Sequence, residues 1–127
     1  MALIDGLLQE LEQEAVTTRR VLERVPNDKL EWRPHEKART LGELALHVAT
    51  VPGGVAELVG THSTVQPPQL NNPKPKSASE LVSALDESIA KAKKVLGGMD
   101  DLALTSTWRM MKGERELLAL PRVAVLR

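Results

Sequence analysis

The sequence predicts an all-α fold, and three observations carry the prediction. Apolar residues recur at three- and four-residue steps in three long stretches, as the buried stripes of amphipathic helices do. With no Phe or Tyr and only two Trp, the core must be built of Leu, Val, Ile, Ala and Met, most of them strong helix formers. Capping signals and prolines bracket the periodic stretches. The length, 127 residues, fits one domain over residues 1–127 that buries roughly two-thirds of its unfolded surface.

From Ala2 to Arg24, Ile4, Leu7, Leu11, Ala15, Thr18, Val21 or Leu22, and Val25 trace one stripe, while Glu10, Glu12, Glu14, Arg19, Arg20 and Glu23 face outward. This is a first helix with a solvated charged face. Pro26 ends it, because the residue before a proline is pushed out of the helical region. Val25 to Arg39 is a connection in which Leu30 and Trp32 plug one end of the bundle; the flat indole of Trp32 also suits the wall of a pocket. Thr40 and Glu43 form a T-x-x-E capping box that starts a second helix, running to Gly60. Leu41, Leu44, Val48, Val51, Val55 and Leu58 are its expected buried stripe. Pro52, followed by Gly53 and Gly54, predicts a kink or break near Val51.

Thr61 to Lys76, rich in Pro, Asn, Ser and Thr, reads as a long surface loop. Ser77 and Glu80 form a second capping box, and Leu81, Leu85, Ile89 or Ser88, Ala92, and Leu96 or Val95 make a third helix closed by Gly97 and Gly98. Asp101 to Leu104 suits a short helical turn, TSTWRM favours extended backbone, and Lys112-Gly113 is a turn. Pro121 then opens a fourth helix, RVAVLR, of about 10 Å against about 30 Å for each of the other three.

Lys plus Arg equals Asp plus Glu at 17 each, so no basic field exists to attract nucleic acid or an anionic membrane. The absence of cysteine excludes disulfides, thiolate metal sites and cysteine nucleophiles. The acidic N-terminal segment lacks signal-peptide character, and a cytoplasmic location is expected. No glycine-rich phosphate loop or nucleophile elbow is present.

His47 carries whatever chemistry the sequence offers. One turn after Leu44 and beside Val48, it falls on the expected buried stripe, where an imidazole serves either as a hydrogen-bonded core residue or as a metal ligand. Glu43, four residues earlier on that face, is placed to orient the ring, although the capping box already accounts for it. Leu44, Val48 and Trp32 would line a pocket around His47.

The run VLERVPNDKLEWRPHEKARTLGELALHVATVPGGVAELV and the later L-P-R resemble the DinB-like family of four-helix bundles, related to bacterial thiol-dependent S-transferases. The linked pieces are V-P-x-D-K-L after the first helix, W-x-P-H-x-K-x-x-T-L-G-E-L leading into the second, and His47. The resemblance implies an up-down bundle and a divalent metal, nickel or zinc, held by His47 and an H-x-x-x-H pair on the fourth helix. It also implies transfer or hydrolysis involving a small-molecule thiol. Here the sequence departs from the family, since it reaches Arg127 with no H-x-x-x-H.

The expected architecture is therefore three full helices and a truncated fourth, with an incomplete metal site and an open apolar groove. Monomers rarely expose such patches. A homodimer or larger oligomer covering the groove is the expectation, the alternative being a fragment of a longer chain. The competing functional reading is a non-catalytic self-associating or partner-binding helical module in which His47 is only a polar core residue.

Overall fold

A computed structural model describes residues 2–67 and 73–127. Three long helices dominate it: α1 (Leu3–Glu23), α2 (Leu41–Thr61) and α3 (Ala78–Gly97). A short 3-10 turn, Asn27–Lys29, follows α1, and two five-residue helices, α4 (Asp101–Thr105) and α5 (Arg122–Leu126), lie in the C-terminal third. Ile4 clusters with Ala56, and Leu22 with Ala45 and Leu46, so α1 and α2 run antiparallel. Helix α3 packs against both, while α1 and α2 scarcely touch, so a groove stays open between them.

The all-α expectation is corrected by a small sheet of β1 (Thr64–Val65), β2 (Thr107–Lys112) and β3 (Arg115–Pro121), in that spatial order. β1 pairs parallel with β2, and β2 pairs antiparallel with β3 across a turn where Gly113 takes φ of 62°. The extended reading of TSTWRM holds from Thr107 onward, Thr105 belonging to α4, and the turn expected at Lys112-Gly113 falls at Gly113 and Glu114. β3 has no sequence signature because every one of its residues is exposed, and without a buried face there is no apolar–polar alternation. The loop expected over Thr61–Lys76 contains β1, and its central part lies outside the described residues.

Helix α2 starts at the predicted box. Glu43 N–H donates to Thr40 Oγ1 at 3.1 Å, and Thr40 N–H donates to Glu43 Oε1 at 3.1 Å. The Thr40 backbone N–H, and after it the Thr40 hydroxyl, hold the Glu43 carboxyl below its ordinary value. The box should therefore be acid-sensitive. Its contribution is complete above the unfolded carboxylate value of 4.5 and is lost as pH falls through the lower folded one. Thr40 is buried, and Thr40→Ala should cost about 1 kcal/mol in urea unfolding at pH 7. Glu43→Gln should keep the fold while removing the part of the unfolding midpoint that titrates in acid.

The box expected at Ser77 forms only in part. Glu80 Oε2 accepts from Lys76 N–H at 2.7 Å, and the Ser77 hydroxyl turns to Ser79 at 3.0 Å instead of capping α3. The predicted turn at Asp101 is α4, capped by Asp100 Oδ1 accepting from Ala103 N–H at 2.8 Å.

Of the kink or break expected near Val51, the break does not occur, and α2 is continuous through Thr61. Proline removes one ladder bond and disturbs its neighbours. Here the Gly53 N–H donates to Ser88 Oγ of α3 at 2.7 Å, so an orphaned donor is satisfied across the helix pair. That bond requires close axes. A Cβ on Gly53 would lie 2.8 Å from the Ser88 carbonyl oxygen, closer than van der Waals contact.

Candidate functional site

The close α2–α3 contact decides which face of α2 is covered. Its buried residues are Gly42, Ala45, Leu46, Ala49, Gly53, Ala56 and Val59, a mostly small-residue face that lets the two axes approach. The larger residues expected inside stand on the other side: Leu44 is 49% exposed, Val48 42% and Val51 38%. Helix α2 is thus apolar on two faces, and the fold buries one. By length and composition it would even suffice to cross a membrane, yet only 33% of its apolar window is buried.

His47 goes with the exposed face. The expectation of an inward His47 flanked by buried Leu44 and Val48 is corrected for one physical reason: packing area on α3 is won by the residues that allow the closest approach. Trp32 is 58% exposed on the connection before α2, where its carbonyl accepts from Leu41 N–H at 2.7 Å, and it is not part of the groove wall. Leu30, its companion in the sequence reading, does pack onto the α1–α2–α3 core. Glu43 is engaged in its capping box beneath the same turn.

Between α1 and α2 lies a groove of about 370 Å³. Leu7 and Leu11 form one wall, Val51 and Val55 the other, and Leu126 of α5 closes the end. Glu10, Glu14 and Arg127 bring charge to its rim, Arg127 Nε lying 3.8 Å from Glu10 Oε2. Apolar walls with a few charged groups suit an apolar side chain or helix.

The three histidines do not converge. His35 Nδ1 accepts from Lys37 N–H at 3.2 Å in the connection, and His62 caps the far end of α2 with its ring 2.8 Å from Thr61 Oγ1. His62 is fifteen residues from His47, roughly 20 Å along a continuous helix. Among the described residues no three His, Cys, Asp or Glu side chains gather where one cation could be held. Among the described residues, therefore, no two further donors stand with His47 as a three-ligand centre requires.

One functional-looking residue escaped sequence reasoning. Arg122, the arginine of L-P-R, is 9% exposed and caps the end of α2. Its Nε donates to Val59 O at 2.8 Å, Nη2 to His62 O at 2.9 Å and Ser63 Oγ at 2.8 Å, and Nη1 to the Ser106 hydroxyl. A guanidinium at a helix C-terminus also meets the negative end of the helix dipole. The signal available was an arginine at the first turn of a short apolar helix. Nearby, Trp108 is buried at 1% exposure with no acceptor for its Nε1–H among the described residues.

Comparison with known proteins follows this geometry. The family model described as the DinB superfamily matches residues 10–125. The crystal structure of a DinB-like protein from Bacillus cereus ATCC 10987 is similar in fold, with a TM-score of 0.72 at 20% identity over 96% of this chain and 77% of the other. No curated protein matches.

Proposed function

The chain belongs to the DinB superfamily, and from that premise we propose that it is a self-associating helical module of the cytoplasm, whose open α1–α2 face is covered by a second copy. The observation that carries this reading is the second apolar face of α2, with Leu44, Val48 and Val51 between 38% and 49% exposed. A helix apolar on both sides is at home only when both are covered.

A second reading is favoured by the position of His47 on that same face. In it, His47 is one ligand of a nickel or zinc site serving transfer or hydrolysis with a low-molecular-weight thiol, and two further ligands come from outside the chain. One experiment addresses both readings: molar mass by light scattering at micromolar concentration, with elemental analysis of tag-free protein. The expected mass is twice 13.9 kDa. A monomer would defeat self-association. Stoichiometric nickel or zinc, lost on His47→Ala, would establish the metal reading, whereas metal-free dimers would retire it.

A further inference from the structure

We draw no further inference here: the strongest candidate, the buried Trp108 indole N–H with no acceptor among the described residues, sits in a cluster that shares Val55, Val125 and Leu126 with the α1–α2 groove, and nothing in the structure shows what covers that groove.

Discussion

Arg122→Met should destabilise the fold by about 3 kcal/mol, seen as a lower urea midpoint with an unchanged denaturant slope. The arginine serves two carbonyls, Val59 O and His62 O, and two hydroxyls, those of Ser63 and Ser106. A methionine of similar length keeps the aliphatic packing and removes every donor. The buried acceptor Val59 O costs about 1–3 kcal/mol when it loses its partner, the part-buried acceptors at His62, Ser63 and Ser106 cost less because water can reach them, and removing the buried cation offsets part of the loss. Arg122→Lys should recover little. A lysine ammonium is a single point of charge and cannot span acceptors that a planar guanidinium reaches in several directions.

Neighbouring glycines should respond with opposite signs. Gly53→Ala places a methyl group 2.8 Å from the Ser88 carbonyl and 3.0 Å from its Cα, atoms of backbone that cannot swing aside. The α2–α3 pair must part, stretching the 2.7 Å bond from Gly53 N–H to Ser88 Oγ. A net loss of about 2 kcal/mol is expected, because overpacking of this kind costs about 1–3 kcal/mol and outweighs the helix propensity gained. Gly54→Ala meets nothing within 4 Å. It should stabilise by up to about 1 kcal/mol. Thermal unfolding of the two variants side by side checks the contrast.

The contrast also explains what the sequence could and could not disclose. The three long helices were legible because their periodicity and end signals agree, and α2 begins at the Thr40–Glu43 box that the sequence announced. Which face of α2 lies inside was not legible from hydropathy. Leu44, Val48 and Val51 outrank Ala45, Ala49 and Gly53 on any apolar scale, yet the smaller set won the contact with α3 because closeness of approach decided it. That Pro52 leaves the helix unbroken was hidden for a related reason: the acceptor for the Gly53 N–H comes from Ser88, thirty-five residues away. β3 was hidden because a wholly exposed strand owes its existence to pairing with β2. Of the candidate site, the identity of His47 was readable, while its exposure depended on the same contest between faces. Arg122 was readable only as part of a motif, since its acceptors are carbonyls and hydroxyls brought together by the fold.

The arginine clamp has a consequence for the order in which the molecule comes together. Its bonds to Val59, His62 and Ser63 span 59 to 63 residues of chain, whereas the contacts between α2 and α3 join neighbouring elements. Closing a longer loop costs more entropy, by about 0.6 kcal/mol for each doubling of its length. Contacts of such separation reward the chain only after the segments between them are ordered. The parallel α2–α3 pair, which meets at separations near the 35 residues between Gly53 and Ser88, closes shorter loops than the clamp does. Helix α1 closes longer loops still, 67 residues from Arg19 to Asp86 and 98 from Leu3 to Asp101, so its docking, like that of α5, is rewarded only after the α2–α3 pair is ordered.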